Sequence, residues 1–161
     1  MSQTYRTKGE RFVASSFSAF VEYRQPSLEE LRQMFDRVSV NCRHEFEPTD
    51  ACRGVSSQAR EIQFELVHLG KVASTDEVLA ELASRRLRPA LYVEFLAFST
   101  KFPSEQREYE IGVLGSFVDA IGYRHAPSLE VWPDQTRYLC HTLFERRWDA
   151  NCRFLAVSRE A

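Results

Sequence analysis

The sequence predicts an α+β fold with an antiparallel sheet and a proline-linked helix pair. Three observations carry that expectation. Two helix starts are marked by capping boxes, Ser27 with Glu30 and Ser74 with Glu77. Apolar residues alternate with polar ones over 38–47, the period of a half-buried strand. The last third of the chain is a run of short strand-like segments separated by turn residues, a pattern of hairpins rather than of βαβ units. The expected organisation is one domain, 1–161, in which a strand–helix–strand region over 1–59 packs on a scaffold over 60–161.

The scaffold is organised around residues 74–103. Ser74 is a good N-cap, and Val78, Leu79 and Leu82 fall on one helical face behind it. Arg85 and Arg86 suit the negative end of that helix. Pro89 disfavours helical angles at Arg88 and fits the first turn of a second helix, which carries Leu91, Phe95, Leu96 and Phe98 up to Pro103. Helices of about three turns are not stable alone in water, so Leu79, Leu82, Phe95 and Leu96 are expected to dock on a sheet.

The remaining elements follow in chain order. Residues 1–10 are polar and expected to fray. Phe12, Val13, Phe17, Phe20, Val21 and Tyr23 predict a strand over 12–23. A helix opens at Ser27 and runs through Leu28, Leu31, Met34 and Phe35. In the strand over 38–47, Val38, Val40, Cys42, His44 and Phe46 share the apolar face. Residues 48–60 read as a loop, 62–69 as a strand ending at Gly70, and 104–107 as one helical turn. A strand over 109–118 is interrupted by Gly112 and Gly115, and Gly122 marks a turn. Further strands are expected over 128–132, 136–144 and 152–158, with a turn at Asp149, Ala150 and Asn151.

The totals exclude several classes. At 161 residues, with 43% hydrophobic and 12% aromatic content, the chain can bury a sizeable core. A formal net charge of −2 gives no general attraction to nucleic acid or to anionic membranes, so neither is an expected partner. No apolar run is long enough to span a bilayer, and serines interrupt 12–20, where a signal peptide would need an apolar segment. The expected compartment is therefore the cytoplasm, where the four cysteines would be reduced thiols.

Two resemblances sit on named residues. Leu87 to Phe98 (L-R-P-A…E-F-L-A-F), Lys101 to Tyr109 (K-F-P…Q-R-E-Y), Val113-Leu114-Gly115-Ser116, and Arg153 to Arg159 (R-F-L-A-V-S-R) make the chain resemble an uncharacterised bacterial protein family with matching segments in that order. The stretch from Ile62 to Val157 also resembles the C-type-lectin-like fold, on Ser74 to Leu82, the Leu87-Arg88-Pro89 elbow, Glu94-Phe95-Leu96, and Trp148 to Val157. That resemblance implies a C-type-lectin-like scaffold over the C-terminal two-thirds, with a ligand surface built from loops at 118–125 and 132–151. It does not extend to calcium-dependent sugar binding. Glu47, Pro48 and Asp50 approach the sugar-binding motif but precede the elbow, and Trp132, Pro133 and Asp134 lack partner carboxylates for a calcium ion. Cys140 and Cys152 lack the cysteine partner that the fold's disulfide would need on the first elbow helix.

The candidate chemistry is of two kinds. Cys42, His44, Cys52, Cys140, His141 and Cys152 suggest a metal or nucleophile set, but their spacing departs from the close pairs of zinc sites, and core packing is the favoured reading. Cys140 and His141 are strand neighbours that point to opposite faces. No phosphate-binding loop, dinucleotide fingerprint or nucleophile elbow is present. Aromatic and arginine side chains, the usual hot spots of binding surfaces, concentrate late in the chain. The expected binding residues are Tyr123, Arg124, His125, Trp132, Asp134, Arg146 and Trp148. The leading expectation is a non-enzymatic binding or interaction protein with no cofactor and no metal, whose partner is a protein or a small-molecule ligand. A small metal- or cysteine-dependent hydrolase and a self-assembling protein are the alternatives left open.

Overall fold

The computed structural model describes residues 16–43, 45–107 and 109–160. The expected tail over 1–10, the strand start at Phe12 and Val13, and His44 lie outside the described residues. β1 (Ser16–Val21) buries Phe17, Ala19 and Val21 and turns Phe20 outward, the two-residue period of a strand with one face on a core. α1 (Leu28–Met34) opens at the Ser27–Glu30 capping box and buries Leu31. β2 (Arg37–Val38) and β3 (Glu47–Pro48) are two-residue strands. β4 (Arg60–His68) and β5 (Ala73–Ser74) lead into α2 (Thr75–Ser84), whose capping box is Ser74 with Glu77. β6 (Leu87–Pro89), α3 (Tyr92–Lys101) and β7 (Ile111–Gly112) follow. The chain ends in β8 (Ser116–Ala120), β9 (Tyr123–Val131), β10 (Arg137–Leu143), β11 (Arg147–Trp148) and β12 (Arg153–Ser158).

These strands form two five-stranded sheets and a ribbon. The first sheet has the order β1-β4-β12-β6, with β7 also paired to β12. Its neighbours are antiparallel except for β7 on β12. The second has the order β2-β10-β9-β8-β3 and is antiparallel except where β2 runs parallel to β10. The ribbon pairs β11 with β5. The fold is thus mixed α+β with antiparallel sheets and three helices among the described residues. β1 joins β4 and β2 joins β10, so strands from 16–43 complete both sheets.

Two apolar clusters fill the interior. In the first, α3 lays Phe95, Leu96 and Phe98 on the first sheet, where Phe98 meets Phe17 edge-on at 5.2 Å and Phe64 at 5.7 Å. Such edge-to-face ring pairs contribute about 0.5–1.5 kcal/mol beyond the area they bury. In the second, Val78 and Leu82 of α2 pack with Trp148 and Phe154, whose rings meet edge-on at 5.5 Å. Leu79 is only partly buried at the margin of this cluster.

The structure departs from the sequence expectation at Pro89 and over 38–47, among other places. Pro89 does not open the second helix. It lies in the short edge strand β6, paired with Ala156 of β12, a position that asks no ladder bond of the missing N–H. Arg86, at φ 60°, turns the chain out of α2, and α3 begins only at Tyr92. The expected strand over 38–47 stops at Val38. Residues Val40–Arg43 wind into a 3-10 turn closed by Cys42 N donating to Ser39 O at 3.0 Å. The turn buries Cys42 but leaves Val40, expected on the same apolar face, 60% exposed, because a 3-10 turn does not keep residues two apart on one side as a strand does.

Candidate functional site

The β8–β9 hairpin presents the expected residues Tyr123, Arg124 and His125 at one end of the second sheet. Its turn is Ile121-Gly122, with both residues at positive φ, 55° and 81°. Two consecutive positive-φ residues match the twist of the flanking strands, but the first of them is ordinarily Asn, Asp or Gly. Ile121 is instead β-branched and 93% exposed. Tyr123 beside it is 66% exposed, and Leu143 of β10, the register partner of His125, is 45% exposed. Tyr123 and His125 share a strand face, and the His125 ring packs edge-on against His141 at 4.7 Å. Burial first, and the neighbouring His125 second, lower the His141 pKa. Arg124 faces the other way. It lies over the Phe144 ring at 4.5 Å and hydrogen-bonds Glu145.

The other expected residues are not part of this cluster. Trp132 and Asp134 sit at the opposite end of the β9–β10 hairpin, roughly 25–30 Å along the strand at the usual strand rise. Trp132 is held by the Tyr138 ring at 5.6 Å and the Arg37 guanidinium at 5.2 Å. Asp134 accepts from Thr136 N at 3.0 Å, which shapes its own turn and lowers its pKa. Trp148 is 1% exposed. Its Nε1–H donates to Thr75 Oγ1 at 3.0 Å, and Thr75 in turn donates to Phe144 O at 2.5 Å. It belongs to the interior, with its one polar atom satisfied there. Arg146 covers the Trp148 ring at 4.2 Å and pairs with Glu110 at 3.1 Å, so it closes the core from outside.

Among the described residues, the cysteines and histidines do not converge on a metal site. All four thiols are buried. Burial raises the pKa of Cys52 and Cys140 to about 11 and that of Cys152 to about 12, and moves Cys42 further in the same direction. A thiol of that kind holds its proton at neutral pH and is a poor nucleophile. Cys140 Sγ pairs with Ser128 Oγ at 3.3 Å. Among the described residues no group of three or more His, Cys, Asp or Glu side chains is placed to hold a metal ion. No described helix is long and apolar enough to cross a membrane.

The sequence reading missed a buried polar node that ties the quoted motifs together. Arg88 and Glu94, 2% and 0% exposed, form a two-pronged ion pair with both N–O distances at 2.8 Å. Glu94 also accepts from Leu91 N at 2.7 Å and from Tyr23 Oη at 2.6 Å. Ser116 Oγ accepts from Tyr92 N at 2.9 Å, at the first residue of α3. Gly115 N donates to Ala90 O at 2.9 Å. The L-R-P-A…E and L-G-S segments are therefore two sides of one junction between β6, α3 and β8. Glu94 follows Arg88 by six residues, but the pair spans the end of β6 and the start of α3, so no single-element period brings the two together. Comparisons of the chain with protein-family models, with curated proteins and with solved structures find no match.

Proposed function

We propose that this is a non-enzymatic binding protein whose contact surface is the Ile121 end of the β8–β9 hairpin, and that the occupant is another protein. One observation carries the reading: a β-branched, almost fully exposed residue occupies a left-handed turn position. Such a residue costs on the order of 1–3 kcal/mol where Asn or Gly would not, and exposure earns it no packing in return. Ile121, Tyr123 and Leu143 form an apolar edge beside His125, with Arg124 and Glu145 as its polar border. A convex edge of this shape is poorly matched to a small molecule, which binds in concavities, and well matched to a groove on a second macromolecule.

The finer, lectin-like organisation of 60–161 belongs to the same proposal. It is supported by the antiparallel pairing of β4 with β12, which joins the two ends of that segment, with α2, α3 and the late strands between them. In such a scaffold the late loops carry the ligand surface, and Ile121 lies in the first of the two loop regions expected from the sequence.

The test is a photo-crosslinking amino acid placed at Tyr123 and, as a control, at the exposed Glu61 of β4. A discrete adduct at Tyr123 that is absent at Glu61 and disappears with Ile121→Asp supports the proposal. The same adducts at both positions, or an adduct indifferent to Ile121→Asp, overturn it. An adduct of twice the chain mass identifies the partner as a second copy of this chain.

A further inference from the structure

Apart from the Ile121 edge, arginines gather at one end of the first sheet. Antiparallel pairing of β4, β12 and β6 brings Arg60 at the start of β4, Arg88 in β6 and Arg159 just past β12 to one end of the first sheet. The segment after the 3-10 turn Asp50–Cys52 folds over that end and adds Arg53, whose charge is met by Asp50 at 2.9 Å. Together they line an open cleft of about 560 Å³, whose one acidic lining residue among the described residues is Glu160. The gathering is local, since the whole chain carries a net charge of −2.

Two of these guanidinium groups are fixed and incompletely used. Arg88 spends both Nη atoms on Glu94 and Pro89 O, and its Nε is buried with no hydrogen-bond partner. Arg60 is braced through Nη1 to Ser56 O at 3.0 Å and Gln58 O at 2.8 Å, and lies over the Tyr23 ring at 4.8 Å. Its Nη2 is likewise buried with no hydrogen-bond partner among the described residues. Arg159 is held by its backbone N donating to Arg86 O at 3.1 Å and by Nε donating to Leu87 O at 3.3 Å, and neither Arg60 nor Arg159 has an ion-pair partner among the described residues. A buried, unpaired donor on a cation is costly to leave unmade. Held guanidinium forks are also the groups that recognise planar and tetrahedral oxyanions, because little order remains to be imposed on binding.

We propose that this cleft is a binding site for an oxyanion group, a phosphate or carboxylate carried on a small molecule, with Arg60 and Arg159 as its principal contacts and Arg88 as the charged floor. The site shares no residue with the Ile121 edge and stands independently of it.

Isothermal titration of the full chain with pyrophosphate, and separately with citrate, tests the assignment and distinguishes the two sources of the anion. Saturable binding of either probe is expected, weakened at least about tenfold by Arg159→Gln, the loss of one hydrogen bond to a charged group. Arg159→Lys should fall between the two, and Arg85→Gln on α2 should bind as the parent does. Thermal unfolding without ligand checks that Arg159→Gln still folds; a bound probe should raise the parent midpoint and leave that of Arg159→Gln nearly unmoved. Absence of saturable binding by both probes overturns the proposal. So does equal affinity in the parent and in Arg159→Gln.

Discussion

Replacing Glu94 with Gln tests the physical basis of the β6–α3 junction. The substitution keeps the shape but removes the charge that faces Arg88, which is 2% exposed and cannot turn to solvent. Burial acts to lower the Arg88 pKa, but the hydrogen bonds and charge of Glu94 more than reverse it and hold the guanidinium charged. Breaking a buried pair by removing one partner costs about 3–5 kcal/mol. For a chain of this size each kcal/mol moves the thermal midpoint by about 2–4 °C, so a fall of about 6–20 °C is expected. Urea denaturation followed through Trp148 fluorescence should show the midpoint falling at constant slope. The double substitution Arg88→Met with Glu94→Met removes both charges and should be more stable than the sum of the two single losses. It should not reach the parent, because the partly buried donors Leu91 N and Tyr23 Oη lose their acceptor, at most about 1–3 kcal/mol each. A loss below about 1 kcal/mol in Glu94→Gln, or strict additivity in the double variant, would refute the reasoning.

Further outcomes follow from single contacts. Ile121→Asn should raise stability by about 1 kcal/mol, by relieving the left-handed β-branched residue, while abolishing the Tyr123 crosslink; an unchanged or lower thermal midpoint counts against the strain argument. Gly115→Ala would place its Cβ 2.2 Å from Ala90 O, a backbone atom that cannot swing away, so a loss of about 3 kcal/mol or more is expected in chemical denaturation. Thr75→Val strands Trp148 Nε1–H and Phe144 O together, and should cost about 2 kcal/mol with a shifted Trp148 emission. His141 should titrate below the ordinary imidazole value of about 6.5. Since the unfolded chain takes up that proton first, stability should decline as pH falls below about 6.5 and level off once the folded pKa is passed. In His125→Asn the His141 proton resonance should titrate higher; an unmoved midpoint excludes the coupling.

Local chemistry was legible wherever the partners are neighbours in sequence. Both capping boxes formed because Ser27 and Glu30, and Ser74 and Glu77, complete each other's bonds within one turn. Asp149 and Asn151 made their turn for the same reason, with Asn151 N donating to Asp149 Oδ1 at 2.8 Å. The last strand was readable in β12 because it lies between two partners and is apolar on both faces. Pairing across the chain was not legible. Pro89 suits a helix start and an edge strand equally well, and the open edge of β12 decided for the strand. Trp148 is as aromatic as Trp132, and only the placement of Thr75 against its Nε1 drew it inside. Arg60, Arg88 and Arg159 are far apart in the chain, and the sheet register sets them on one cleft. Sequence fixes what each residue can satisfy within a few positions, whereas tertiary structure decides which distant group satisfies the rest, because burial makes an unpaired polar atom costly only once the core has closed around it.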